Sequence, residues 1–536
     1  MASLSSTEVP LVGIREVIQD RILNKRFARG TISTVDLIIF FLSTVIIWLA
    51  IRKAHHATRG PLSAFPGPRL CAWTDLPQGY WKITGKDHEI MTNLHLKYGP
   101  VVRIGPRHLS YIGTAEIWAD IYGERVGYAK CLPKDKMLYD LIEDCFGWKD
   151  SLVTAPDELD PLHKVIRKLV VSSFSPRMNN HFEPRFKGWT KKMVTRLVPK
   201  AEREEIMDLS KAFQCLSVDL QTDMILSVDA GSLKTLDYPP TKVVVNGSLQ
   251  GAALAHALRL FSPTIGRAVQ KTIVNIPHLR RLLDNFADTL SKRITERLDN
   301  PPPTGDVLTE VLRKTDLSPV PISKEQFYST AKILTVAGPE AMTAAMNTIG
   351  YHLFREPKTF STLVNQIRTR FKTQDDLTLK ALSEMDLLTA VIKEGHRLYP
   401  LPPGILPRST PDGGAWVQGT WIPPHTVLGV HQWATYRSET NFKDANGYHP
   451  ERWMGHPDFK NDRLDCVQVF SAGARRCPAE LFSWCVIRLV FASLLLNFDI
   501  ELADEASDWP QQKSYFIWRT RPLMCKIRPA KRTAEA

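Results

Sequence analysis

The sequence predicts a mainly helical protein with small β-sheets and an N-terminal transmembrane helix. Three observations carry that expectation. Residues 179–199, 202–226, 250–272 and 280–298 hold apolar side chains at three- and four-residue steps, the spacing of one helix face. Strand-like patterns are confined to short stretches within 98–112, 398–430 and 516–527. Residues 30–51 form an apolar run whose only charge is Asp36.

Leu11, Ile14, Ile18 and Ile22 recur at helical spacing among basic residues. The segment 1–29 therefore reads either as an amphipathic helix lying in a membrane interface or as a frayed tail. The run that follows, at about 1.5 Å per residue, spans roughly 33 Å and covers a hydrocarbon core of about 30 Å. Its uncharged part, Leu37 to Ile51, is shorter, so Asp36 belongs near an interface. No small-residue cleavage site follows, only Arg52, Lys53, His55 and His56, which argues against a removed signal peptide. A buried core helix is the other reading. Basic residues flank both ends, so charge leaves the orientation open. Pro61, Pro66 and Pro68 cannot continue a helix, and 52–70 reads as a basic, proline-rich hinge.

The remaining 71–536 reads as one domain. A chain of 536 residues, 43% hydrophobic and 9% aromatic, can bury a large core. Pro301–Pro303 interrupts the helical series, and neither a long internal repeat nor a Gly-rich nucleotide loop is present. Electrons for any redox chemistry would then come from another protein. The net charge of +13 raises nucleic acid as a partner, but no Lys/Arg block or zinc finger supports it. An anionic membrane surface and an acidic protein partner fit better. Eight scattered cysteines suit a reducing compartment.

One of those cysteines stands apart. Phe470-Ser-Ala-Gly473-Ala-Arg475-Arg476-Cys477-Pro478-Ala479 sets it after a glycine-bearing turn, behind two arginines and ahead of an apolar helical run. A positive field and unpaired helix N–H groups favour thiolate over thiol, and thiolate is a ligand that haem iron accepts. The other seven show no C-x-x-C pair and no zinc spacing, and read as small buried hydrophobes. The loop resembles the haem-binding loop of the cytochrome P450 family, F-x-x-G-x-R-x-C-x-G. It matches at Phe470, Gly473, Arg475 and Cys477 and departs at Ala479. Upstream, Glu394 and Arg397 form an E-x-x-R pair one helical turn apart, and His449-Pro450-Glu451-Arg452-Trp453 follows.

The resemblance implies the family's helical prism with small sheets and a haem bound through Cys477. It implies a buried Glu394–Arg397–Arg452 cluster behind the loop, and Phe470 packed against the sulfur. Haem propionates need cationic or hydrogen-bonding partners in an apolar pocket. Arg475, Arg408 and the pair His163/Arg167 resemble the family's partners for them. Arg476 reads either as a docking residue for a reductase or as a neutral surface arginine.

On the other side of the haem, Ala331–Thr343 resembles the family's central helix, usually A/G-G-x-D/E-T. Glu340 keeps the acid, but Ala341 stands where the alcohol would be. Thr343 lies about 200° further round the helix and cannot replace it. Pro339 removes one helix hydrogen bond and crowds the Thr335 carbonyl. Either these changes leave proton delivery to Glu340, ordered water or a substrate hydroxyl, or they only reshape the pocket. A third outcome is oxidation that ends in desaturation, ring formation or rearrangement.

The expected function is a monooxygenase acting on a lipophilic small molecule, with electrons from NADPH through cytochrome P450 reductase. The apolar segments 131–156, 235–262, 333–343, 401–406 and 513–518 would line its pocket. Loose similarity to fungal enzymes of secondary metabolism suggests a terpenoid, polyketide or alkaloid intermediate. The resemblance places the anchor in the endoplasmic reticulum with the catalytic domain facing the cytosol. The remoter alternative is a haem protein that oxidises nothing.

Overall fold

The computed structural model describes residues 34–123, 131–155, 160–315 and 321–531. The chain divides into two compact units, Met1–Gly60 and Pro61–Ala536. The described part of the first unit is one helix, Thr34–Arg59, long and apolar enough to cross a membrane. It runs past Ile51 to Arg59, so the first residues of the expected hinge are helical. None of them lacks an N–H, and His56 and Arg59 in the last turn complement the helix dipole. Residues 1–29 and the start of the apolar run lie outside the described residues.

The second unit is mainly helical with four small sheets among the described residues. Two helix boundaries differ from the sequence pattern. Residues 206–208 leave the expected 202–226 helix and form a strand paired antiparallel with 524–526. Asp208 then starts the helix Leu209–Leu226, its carboxylate accepting from Ser210 N–H. The 250–272 helix is split, because Pro263 has no N–H to offer and the Ser262 hydroxyl caps a new helix at Ile265 N–H. Strand pairing and a cap thus outweigh apolar periodicity.

The largest sheet runs in the order Val101–Gly105, His108–Tyr111, Val427–Val430, Arg408–Ser409. His108–Tyr111 pairs parallel with Val427–Val430, which carries the segment 401–408 back towards the core. Two helices position the site. Lys324–Arg355 begins at a capping box between Ser323 and Gln326 and is almost wholly buried from Met342 onward. Glu480–Asn497 is apolar enough to pass for a membrane span, but most of it is packed inside the domain. Phe482 at its start meets Phe174 and Phe186 edge-on, with centroids 5.6 and 5.4 Å away.

Candidate functional site

The loop before the Glu480–Asn497 helix closes on itself, with Cys477 N–H donating to the Phe470 carbonyl at 2.8 Å. Gly473 has φ +66°, and a Cβ there would lie 2.0 Å from the Tyr122 carbonyl oxygen. Both the conformation and the space demand glycine. Cys477 lines a cavity of about 390 Å³ whose other wall includes Ala337, Gly338, Ala341 and Met342. Phe470, Arg475, Arg408, His163 and Arg167 line the same cavity, so the structure brings these sequence-selected residues together. Gly473 shapes the loop without reaching the wall.

Burial pushes the Cys477 thiol up, with Glu480 adding to it, and the Ala479 N–H, Arg167 and Arg476 only partly oppose this. In the protein alone, burial thus outweighs the positive field and helix N–H groups expected to favour thiolate, and a metal ion held there would remove the thiol's proton. His163 is 2% exposed. Burial, then Arg475, push it down to about 3, so it is a neutral ring. Arg408, also 2% exposed, donates from Nη1 to the Tyr139 hydroxyl at 3.1 Å and lies 5.2 Å from the Tyr122 ring centroid. Its Nε has no hydrogen-bond partner among the described residues.

The cavity wall contains Lys134, Arg167, Arg408, Arg475 and Arg476 but no carboxylate. A buried guanidinium with an unmet donor, facing a space without acids, requires an anion from elsewhere. A soft sulfur ligand on one wall and several cations on an otherwise apolar wall fit a metal macrocycle with two carboxylates, which is haem.

Behind the loop, Glu394 is wholly buried between two arginines. Arg397 grips it in a fork, Nε to Oε2 at 2.9 Å and Nη2 to Oε1 at 2.7 Å. Arg452 Nε adds a bond of 3.0 Å to Oε1, and His449 N–H and Trp453 Nε1 each donate at 2.9 Å. The remaining Arg397 donors are taken by the Tyr436, Ala445 and Gly447 carbonyls, and Arg452 also pairs with Asp462. Each charge has partners, the condition on which buried ions survive.

The opposite wall differs from the sequence expectation in one respect. Glu340 does not line the cavity; its Oε1 accepts from Gln214 Nε2 at 2.9 Å. Burial raises its carboxyl, with Lys242 opposing. Ala341 does line the cavity, while Thr343 turns away and donates to the Pro339 carbonyl at 2.7 Å. Sequence reasoning missed Gln221. It comes from the Leu209–Leu226 helix, lines the cavity and donates from Nε2 to the Leu334 carbonyl at 2.6 Å. Its Oε1 has no partner among the described residues, and a Cβ on Gly338 would come 2.8 Å from it. His396 also lines the cavity unannounced, while Lys134 does so from the expected segment 131–156. No spacing rule marks Gln221 or His396.

Fold and site together define a haem-binding fold whose cavity has a cysteine on one wall and a helix along the other. The cytochrome P450 family model matches residues 66–527. The cytochrome P450 monooxygenase efuB of Hormonema carpetanum is 32% identical over 91% of this chain and 96% of its own length. The cytochrome P450 monooxygenase lcsI of Purpureocillium lilacinum is 30% identical over 91% of this chain and 93% of its own. The crystal structure of the cytochrome P450DA heme domain superposes with a TM-score of 0.69 at 14% identity, covering 87% of this chain and 98% of that one. The chain belongs to the cytochrome P450 family, and it is a haem-dependent monooxygenase.

Proposed function

We propose that Cys477 would hold the haem iron through its sulfur and that the enzyme oxidises a lipophilic intermediate of fungal secondary metabolism. One observation carries this: a single cavity joins Cys477 on one wall to Ala337, Gly338, Ala341 and Met342 on the other. When bound, haem iron activates dioxygen so that one oxygen atom enters a substrate C–H bond. Around it, this chain's residues bind and orient. Arg408, Arg475 and the His163/Arg167 pair hold the propionates, and Phe470 keeps water from the sulfur. Arg167 Nη1 already donates to the Arg476 carbonyl at 2.7 Å, which ties the propionate side to the ligand loop.

Glu340 is the proton source behind the far wall, which it does not itself line. Its raised carboxyl can bind and release a proton, and Gln214 fixes its Oε1. Since Ala341 offers no hydroxyl, the Gln221 carboxamide is the polar group left on that wall to hold a water. NADPH–cytochrome P450 reductase supplies electrons at the surface around Arg476. The Thr34–Arg59 helix anchors the enzyme in the endoplasmic reticulum, with the catalytic domain in the cytosol. The reduced protein with carbon monoxide tests the ligand. Wild type gives the red-shifted thiolate-type Soret band and Cys477→Ser abolishes it; its absence from wild type would sink the assignment. Turnover with reductase, NADPH and a lipophilic library tests the activity.

A further inference from the structure

The cavity that joins Cys477 to the central helix carries few polar groups beyond those facing the haem, but two further cavities adjoin it through shared lining residues. A smaller cavity of about 80 Å³ shares Pro402 and Leu406 with it. A third, about 50 Å³, shares Lys82, Asp87 and Ile405 with the second. The expected pocket segments 235–262 and 513–518 line these side cavities, through Ala253, His256 and Phe516, and not the main one.

The third cavity is polar and incomplete. His431 is fully buried, and Ala434 N–H donates to its Nδ1 at 3.2 Å, so the ring proton sits on Nε2. That Nε2 stands 3.6 Å from Asp87 Oδ2 and has no hydrogen-bond partner among the described residues. His256 is 5% exposed, its ring stacked on Phe516 at 6.0 Å. Its Nδ1 likewise has no partner among the described residues, and burial keeps the ring neutral. Burial alone would raise the Asp87 carboxyl, but Lys82 and then His431 outweigh it and hold the group ionised.

The unmatched nitrogens of His431 and His256, with the Asp87 carboxylate, thus face a space the size of one small group, whose wall also holds Gln78, Lys82, His108 and Asp135. Buried polar atoms left unmatched are unfavourable, so the space takes a group that can both donate and accept. A carboxylate meets Asp87 in repulsion, and Lys82 is already balanced by that acid. A neutral hydroxyl fits: it donates to Asp87 and accepts from His431 Nε2.

We propose that this annex is a subsite for an alcohol on the substrate, remote from the carbon that is oxidised. The inference rests on the monooxygenase reading and narrows its substrate class to lipophilic alcohols. Anchoring the hydroxyl there fixes which stretch of the apolar body lies over the haem.

The test is calorimetric binding to the full-length, haem-loaded protein with dodecan-1-ol, its methyl ether and dodecanoate. The alcohol is expected to bind wild type at least ~10-fold more tightly than either, since only it is neutral and donates. Asp87→Asn and His431→Asn, the latter keeping a helix-capping acceptor, should each remove most of that preference while leaving the ether's affinity unchanged, in protein with normal haem content. Equal affinities in wild type, binding by none of the three, or a preference for dodecanoate overturns the proposal. A wild-type carbon monoxide spectrum without the thiolate band would overturn the functional reading itself. A normal band with equal affinities overturns the annex alone.

Discussion

Gly473 shows how much one residue carries. A side chain there meets the Tyr122 carbonyl and must also adopt φ +66°. Gly473→Ala is therefore expected to lower stability by about 1–3 kcal/mol and to reduce haem content, read by thermal melting and by the ratio of haem to protein absorbance. Glu394 makes a sharper prediction. Glu394→Gln removes the charge between two buried arginines and should cost about 3–5 kcal/mol, read by urea unfolding. Burial would raise the Glu394 carboxyl, but Arg397 and then Arg452 outweigh it and hold the group below its ordinary value. Its contribution is thus full above about pH 4.3, the value of an unfolded glutamate, and is lost as pH falls through the lower folded value. Ala341→Thr restores a hydroxyl to the cavity wall. Peroxide released per NADPH should fall in that variant, and unchanged release would show that the missing hydroxyl is immaterial.

At the scale of elements, the central helix runs unbroken through Pro339, although proline gives the Thr335 carbonyl no N–H. Gln221 donates to the neighbouring Leu334 carbonyl. Helix and cross-helix amide together tolerate a residue that costs roughly 3 kcal/mol in an ordinary helix interior. Pro339→Ala should raise the thermal midpoint and slow amide exchange across 335–341; an unchanged exchange rate would mean that proline does not loosen the turn. Elements of this kind also show what the sequence could reveal. The Cys477 loop and the E-x-x-R pair were legible because their chemistry is written in residues close along the chain. Gln221 was not, because it reaches the cavity only through packing against a helix more than a hundred residues away. The strand at 206–208 was hidden for the same reason, its partner being 524–526. Glu340 was read correctly as an acid but not in its direction, which Gln214 sets.

The whole domain is marked by buried, neutral histidines. His88, His95 and His396 are pushed down to about 4 and His163 to about 3, by burial first in each case. His256 and His352 lie well below the ordinary value for the same reason. An unfolded histidine titrates near 6.5, so between that pH and about 4 the unfolded chain binds protons that the folded domain refuses. Stability is then full above about pH 6.5 and falls as pH drops below it. Each ring contributes a slope of about 1.4 kcal/mol per pH unit, so two acting fully already give about 3 kcal/mol per unit. Asp135, Asp140, Glu143 and Glu340, raised by burial, act in the opposite sense. They are four carboxyls against six rings, and each acts only from about pH 4 up to its own folded value, so the rings prevail. Urea midpoints of the haem-loaded protein at pH 7.5, 6.5 and 5.5 should therefore be level over the first step and fall steeply over the second. Because the groups are buried, added salt should change the drop little. A midpoint that holds at pH 5.5 would mean that these rings are reached by water or protonated in the fold, and the tightly closed interior described here would have to be revised.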